Sequence, residues 1–376
     1  MTSVSVVGGG PVGLMMACLL SPFYQVTVYE KRSSYQRLHE LDLGTQVIDQ
    51  LLEYCSNCVG LAALSVILNG WRGQSITTLV IEQELRAVLQ SKNVNVIQKS
   101  IADPSELGGD LIFACDGAHS SIRKALHQDL QRDPNYSEPE LVEQHQWGHM
   151  LSLRFTTSAN TTPRKLISGL IYNIPSAMSG LGLDHESFHT MAEGDQSRKV
   201  SVYLPIPPEF YQLLRGQTWT MEELKKLGKS STLLVNHLER YRINLELRGG
   251  WMNNESIAVL PLTGYRASAV SYISITNTVF LVGDSSSGLI YRRGLKKGWA
   301  EACYLAQQLV PNEDGDIDTN VVASDYQNFC TQLYQQESVA IQHTIGQKDS
   351  VNTGLALAGV GVLAALAAGL AFVLRR

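Results

Sequence analysis

The chain has 376 residues, 44% of them hydrophobic, and a formal net charge of −5. That length points to two domains or one large α/β unit, with enough apolar content to build a core without disulfides. The mildly acidic balance, with no basic stripe carrying interleaved aromatics, argues against a nucleic-acid partner.

In chain order, Val4 to Val7 reads as a buried strand, Gly8-Gly9-Gly10 as a turn, and Pro11 onward as an apolar helix continuing through Met15 to Leu20. This order builds a pyrophosphate site. Gly8 permits the tight turn, Gly10 lets the backbone approach the phosphates, and Gly13 lets helix and strand pack closely. The helix start supplies unpaired N–H groups and a positive dipole end. Val26 to Tyr29 reads as a second strand ending in Glu30, which is placed to accept hydrogen bonds from a ribose. Strand character begins at Ser3, which leaves no secretory signal ahead of it.

Residues 44–54 and 81–90 have helical spacing, the second with Leu85, Val88 and Leu89 on one face. Val94 to Ile97 and Leu111 to Cys115 read as strands, the latter running into Asp116-Gly117. Cysteines 18, 55, 58, 115, 303 and 330 are scattered, and those in apolar segments read as buried thiols. Cys55 and Cys58 have C-x-x-C spacing but no second ligand pair, so reduced structural thiols are favoured over a zinc or redox site.

The middle of the chain changes character. His149 to Thr156, Lys165 to Asn173 and Lys199 to Pro205 suggest strands of an antiparallel sheet, with helices over Met221 to Leu227 and Ser231 to Tyr241 on one side. After Trp251 the α/β style returns. Ser256 to Leu260 and Thr278 to Val282 read as strands, the second running into Gly283-Asp284, and Gly294 to Leu309 as a helix. The nucleotide domain is therefore split in sequence. Asp325 to Gln347 reads as a polar amphipathic helix.

Gly354 to Leu374 contains no charged residue and precedes Arg375-Arg376. About 20 apolar residues suffice to span a bilayer, so the segment is predicted as a transmembrane helix, with a buried C-terminal helix as the alternative. Ala365 and Gly369 form a small-xxx-small pair that suits helix pairing.

Three motifs now stand in order. They are Gly8 to Gly13, Asp116-Gly117 with Arg123 on the following helix, and Gly283-Asp284 after a strand. Over most of residues 1–310 the set resembles the class A flavoprotein monooxygenases, the family of p-hydroxybenzoate hydroxylase and kynurenine 3-monooxygenase. The resemblance implies an α/β fold with a Rossmann-like FAD-binding domain over 1–65, 94–126 and 256–310. An inserted antiparallel-sheet substrate domain would cover 66–93 and 127–255, a helical region 311–350, and the apolar helix 354–374. It implies FAD as cofactor, with NAD(P)H and O₂ as co-substrates and one oxygen atom passing to a small aromatic or amphipathic substrate.

The resemblance also assigns roles. Gly8, Gly10 and Gly13 would hold the pyrophosphate, Glu30 the adenosine ribose, and Asp284, after Gly283, the ribityl chain. Asp116-Gly117 matches a motif implicated in binding both the FAD pyrophosphate and NAD(P)H. Arg37 stands where relatives often place an arginine near the flavin, and reads equally as a solvated surface residue. His119 and Arg123 read as serving the local turn and helix. No catalytic side chain is assigned. Tyr203, Tyr211 and His189 are available but read as core or surface, and no metal cluster is expected.

The loop after Asp284 departs from the family pattern. Relatives usually continue Ala-Ala-His, a proline, then a glycine-rich turn with an asparagine. Here Ser285-Ser286-Ser287 follows, Tyr291 stands near the proline and Lys296 near the asparagine. The N–H groups of Gly294 and Leu295 would face the pyrimidine end of the flavin. Arg292, Arg293, Lys296 and Lys297 add positive charge there, either for an anionic flavin or acidic substrate or as a solvated basic helix start. Glu82 replaces an Arg or Gln common in relatives. The expectation is a membrane-tethered FAD-dependent monooxygenase, anchored by its C-terminus with its catalytic domain cytoplasmic. Alternatives are a kynurenine 3-monooxygenase-like hydroxylase, a halogenase or reductase of the same fold, and a catalytically lapsed FAD-fold interaction protein.

Overall fold

The computed structural model describes residues 2–33, 40–132, 141–158, 185–189, 197–246, 251–289, 293–311 and 317–342. The chain divides into two compact units, residues 1–145 with 263–337, and residues 146–262 with 338–376.

The first unit opens with β1 (Ser3–Val7), α1 (Pro11–Leu20) and β2 (Gln25–Glu30). There follow β3 (Glu40–Asp42), α2 (Gln46–Asn57), α3 (Ala62–Trp71), β4 (Ser75–Thr77), α4 (Thr78–Ser91), β5 (Asn95–Gln98), β6 (Leu111–Ala114) and α5 (Ser121–Leu130). Residues 66–93, which the resemblance groups with the substrate domain, fall in this unit, as α4 packs on α1. After the second unit come β11 (Ser271–Ile273), β12 (Thr278–Leu281), β13 (Ser287–Gly288), α9 (Arg293–Gln308) and a final helix α10 over 319–342.

The main sheet runs β11-β12-β6-β1-β2-β5. β12, β6, β1, β2 and β5 are mutually parallel, and β11 closes one edge antiparallel. Parallel strands covered on both faces need continuous apolar sequence, and β6 (Leu-Ile-Phe-Ala) and β12 (Thr-Val-Phe-Leu) are buried throughout. Phe113 and Phe280 stack across that pair with ring centroids 5.6 Å apart. α1 is apolar on every side, and every residue from Gly13 to Leu20 is buried. It lies between the sheet, α4 and α9.

Connections leave β1 in opposite directions. β2 pairs on one side of it and β6 on the other. The carboxyl ends of β1 and β6 therefore flank the point where strand order reverses, which is where open α/β sheets bind ligands.

The second unit holds β8 (His185–His189), β9 (Ser197–Ile206) and most of β7 (Val142–Ser158) and β10 (Asn253–Ala267), in the antiparallel order β10-β7-β9-β8. Alternation along β7 buries Leu151, Leu153 and Phe155, which pack with Ile257 and Val259 of β10. Against them lie α6 (Pro208–Leu214), α7 (Met221–Lys226) and α8 (Thr232–Glu246) through Leu214, Met221, Leu224, Leu234 and Leu238. Thr220 and Glu223 form a capping box that starts α7. The strand expected over Lys165 to Asn173 lies outside the described residues.

The expected membrane helix is corrected, and with it the membrane partnership and the anchored, cytoplasm-facing placement. No helix among the described residues is long and apolar enough to cross a membrane. α1 is apolar but has 10 residues, about half the length a bilayer needs. α10 is long enough but is interrupted by Asp325, Gln327, Gln335 and Glu337. Residues 354–374 themselves lie outside the described residues.

Candidate cofactor site

Three loops leave the carboxyl ends of adjacent parallel strands in the first unit. The β1–α1 loop carries Gly8, Gly9 and Gly10. Gly8 has φ +104°, a conformation that favours glycine, and its N–H donates to Tyr29 O at 2.8 Å. A Cβ on Gly8 would strike the Cys115 carbonyl. A Cβ on Gly13 would strike the Gly8 carbonyl oxygen and meet Cys115 Cβ at 3.1 Å. Gly10 differs. The nearest heavy atom to a Cβ there is Glu82 Oε1, at 4.0 Å, so the space beside Gly10 is open.

Gly10 is also the N-cap of α1, without a side-chain cap and without an acidic residue in the first turn. Pro11 contributes no N–H, and Leu14 N–H already bonds Gly10 O at 2.9 Å. The N–H groups of Val12 and Gly13 are then left over by the helix ladder. Two uncapped donors beside an open glycine fit a phosphate.

Glu30, at the end of β2, is 5% exposed. Its Oε1 accepts from Arg32 N–H (2.9 Å) and Arg32 Nε (3.1 Å), and its Oε2 from Gly9 N–H (2.8 Å). Burial alone would raise its pKa. The Arg32 hydrogen bonds, the Gly9 N–H and the Arg32 charge outweigh burial and hold the carboxyl below its ordinary value. A carboxylate offers about four acceptor positions, so one remains, on Oε2, for a ligand hydroxyl. From α4, Glu82 is buried beside Gly10, and Arg86 Nη2 comes within 3.3 Å of a Cβ on Gly9. Arg37 lies outside the described residues.

The β6–α5 loop carries Asp116 and Gly117. Asp116 Oδ2 accepts from the N–H of Ser121 (2.7 Å) and Ile122 (3.4 Å), so this carboxylate caps α5. Its Oδ1 is buried and has no hydrogen-bond partner. Gly117 has φ +87°, and a Cβ there would meet nothing within 4 Å.

The β12–β13 loop carries Gly283, with φ +72°, and Asp284. Gly283, Ser285, Ser286 and Ser287 are buried, and Asp284 alone in this run is exposed. A Cβ on Gly294, in the first turn of α9, would lie 2.6 Å from Asp284 Oδ1. Gly294 therefore stands beside the carboxylate, and Leu295 is partly buried against the core.

The loops are fastened to one another by residues that pattern reading left in minor roles. Arg123, 6% exposed, donates to Ala118 O (2.6 Å) in the second loop and to Ser285 O (2.6 Å) and Asp284 O (3.3 Å) in the third. Its guanidinium lies 5.1 Å from the ring centroid of Tyr265, whose hydroxyl donates to Asp284 O at 2.5 Å. Burial, and then the Asp284 charge, push that hydroxyl up to about 12. Gly298 lets α9 approach the first loop, since a Cβ there would lie 2.7 Å from Val12 Cγ2 and 3.0 Å from Gly283 Cα. Trp299 Nε1 donates to Pro11 O at 3.1 Å.

Lys297 requires a correction. It is neither solvated nor part of an open basic patch, but 2% exposed and paired with Glu301 at 2.6 Å. Lys296 is exposed, with Nζ 3.1 Å from a Cβ on Gly44. Arg292 and Tyr291, and the side chain of Arg293, lie outside the described residues, as do the side chains of Tyr203 and His189. Tyr211 stacks on His149 in the second unit, with centroids 4.1 Å apart. All six cysteines are free, Cys55 and Cys58 included, and no group of three or more metal-ligating side chains occurs among the described residues.

No protein family's sequence profile matches the chain, and no curated protein matches it. Solved structures do. CtdE, solved in complex with FAD and a substrate, superposes with a TM-score of 0.55 at 11% identity, covering 91% of this chain and 89% of CtdE. The flavin-dependent halogenase CmlS superposes at 0.54 with 12% identity, and 89% of this chain covers 63% of CmlS. AlpK superposes at 0.53 with 17% identity, covering 97% of this chain and 75% of AlpK. At these identities the finding is a shared fold.

Proposed function

We propose that this chain is an FAD-dependent oxidoreductase of the oxygenase type, drawing electrons from NAD(P)H and acting on a small aromatic or amphipathic molecule. The observation that carries the reading is the meeting of three loops at the strand-order reversal. They join an open Gly10 and uncapped α1 N-terminus to an exposed Asp284 beside the start of α9. The fold shared with CtdE and CmlS supports it.

The residues present fit FAD. Val12 and Gly13 N–H would take the pyrophosphate, with Gly10 giving it room. The free position on Glu30 Oε2 would accept one ribose hydroxyl, and Asp284 a ribityl hydroxyl. The first turn of α9, at Gly294 and Leu295, offers donors and a positive dipole end to negative charge. When bound, FAD supplies two-electron redox chemistry that no side chain here carries. The chain's own contribution is to hold these donors rigid. Arg123, Tyr265 and the α9 side chains fasten the loops to their surroundings.

Absorbance of the purified protein near the flavin bands tests this reading, followed by NADH and NADPH oxidation with a panel of aromatic acids that includes kynurenine. Flavin uptake with substrate-stimulated oxidation is the expected result. A colourless protein that takes up no FAD on reconstitution sinks the proposal. A second reading, a flavin-fold protein that binds FAD without turnover, draws on the run Ser285 to Gly298, where Lys297 is turned into the core. FAD uptake with no reduction by either nicotinamide would select it.

A further inference from the structure

Behind the Gly283–Asp284 loop lies a charged pair that the roles above do not use. Lys297 and Glu301 sit one turn apart on α9, each with its side chain 1% exposed. Both reach the same loop. Glu301 Oε2 accepts from Gly283 N–H at 2.6 Å. Lys297 Nζ donates to Gly283 O at 3.2 Å and to Ser286 Oγ at 2.8 Å. Ser286 Oγ lies 2.9 and 3.0 Å from the two Glu301 oxygens and 2.8 Å from Gly283 O, and its single proton goes to one of them. The thiol of Cys330 on α10 faces Glu301 Oε1 at 3.6 Å.

The pair thus holds both peptide groups of Gly283 and the Ser286 hydroxyl. Arg123 and Tyr265 hold the Asp284 and Ser285 carbonyls from another side. Every buried residue from Gly283 to Ser286 is fastened, and Asp284 alone in this run is exposed. As a source of stability such a pair is a poor choice. Desolvating two charges costs several kcal/mol, and well-packed apolar side chains of similar volume often serve as well. Its geometry is better explained by what it orients.

We propose that the buried Lys297–Glu301 pair is a positioning clamp that aims Asp284, and so sets the affinity of the site for the ribityl portion of FAD. This rests on the FAD reading above. Lys297 and Glu301 touch no ligand in this account and act through the loop. The clamp separates two halves of the site. The adenosine and pyrophosphate half depends on Gly8 to Gly13 and Glu30, and the described hydrogen bonds of the pair all go elsewhere. The ribityl half depends on Asp284.

The experiment uses the full chain stripped of flavin, as wild type, as the double variant Lys297→Met/Glu301→Leu, and as Ser286→Ala. Thermal midpoints are recorded without ligand. FAD binding is read from quenching of flavin fluorescence, and ADP, a probe of the adenosine half alone, is titrated by calorimetry. The double variant leaves the buried Gly283 N–H without its acceptor and is expected to melt lower than wild type, while keeping its ADP affinity and binding FAD about tenfold more weakly, the effect of one lost charge-assisted hydrogen bond. Ser286→Ala leaves the ion pair whole and frees one corner of the loop. It is expected to weaken FAD about threefold with ADP unchanged. Its result decides the matter if the double variant does not fold. Equal weakening of ADP and FAD, or unchanged FAD binding, overturns the clamp. A wild type that binds neither ligand overturns the FAD reading itself, and is told apart from failure of the clamp by that control.

Discussion

Gly10 and Gly13 lie three residues apart, and substituting each with alanine is expected to do opposite things. Gly10 has φ −81° and ψ −179°, backbone that alanine adopts without strain. A Cβ there meets only Glu82 Oε1 at 4.0 Å. Removing a glycine from the unfolded ensemble at such a site stabilises by about 0.4–1 kcal/mol, so the Gly10→Ala apoprotein is expected to melt no lower than wild type. The same Cβ fills the space through which a phosphate reaches the Val12 and Gly13 N–H groups. Losing two charge-assisted hydrogen bonds at about 1.5–3 kcal/mol each weakens FAD at least about a hundredfold. In Gly13→Ala the Cβ strikes the Gly8 carbonyl and crowds Cys115 Cβ at 3.1 Å, and both belong to strand ends that cannot yield. Overpacking of this kind costs about 1–3 kcal/mol, and here stability falls first. Scanning calorimetry of the two apoproteins, with a fluorescence titration of FAD, reads both effects. Wild-type FAD affinity in Gly10→Ala would falsify the placement of the pyrophosphate.

Three further outcomes follow from the geometry. Arg123→Met leaves the carbonyls of Ala118 and Ser285 without their donor and is expected to lower stability by about 3 kcal/mol in urea unfolding; a loss under about 0.5 kcal/mol contradicts its role as a tie between loops. Because the folded-state pKa of Glu30 is depressed, its stabilisation is present above the ordinary carboxylate range and is lost as pH falls through the folded value. The stability gap between wild type and Glu30→Gln is therefore expected to shrink on acidification, and a gap that widens toward acid refutes this. Burial pushes the thiols of Cys55 and Cys303 up to about 11 and 12, and those of Cys18 and Cys330 well above the ordinary thiol value. A thiol reagent at neutral pH is expected to reach the partly exposed Cys58 first and these four only on unfolding, as peptide mapping would report.

The frame of the first unit was legible because each signal was local. Gly8 must take positive φ where β1 turns into α1, Glu30 must end β2, and strands buried on both faces must read as apolar runs such as Leu111 to Ala114. The ties between loops were not legible. Arg123 meets Ser285 across 162 residues, and nothing near either residue announces the other. Lys297 read as basic surface because its neighbours Arg292, Arg293 and Lys296 are basic. The usable signal was Glu301 four residues on, at the spacing of a helical ion pair, inside a run whose Trp299 and Ala302 are apolar. The apolar stretch at 354–374 misled in a different way. Hydropathy and length describe what a segment could do in a bilayer and do not place it in one, and no helix among the described residues can cross a membrane.

The most direct test of the account is a titration of the stripped full-length protein with FAD, followed by visible absorbance and flavin fluorescence. Saturation at one FAD per chain with quenched fluorescence is expected, together with binding at least about a hundredfold weaker in Gly10→Ala, which melts no lower than wild type. A folded wild-type protein that leaves the fluorescence and absorbance of FAD unaltered would contradict it.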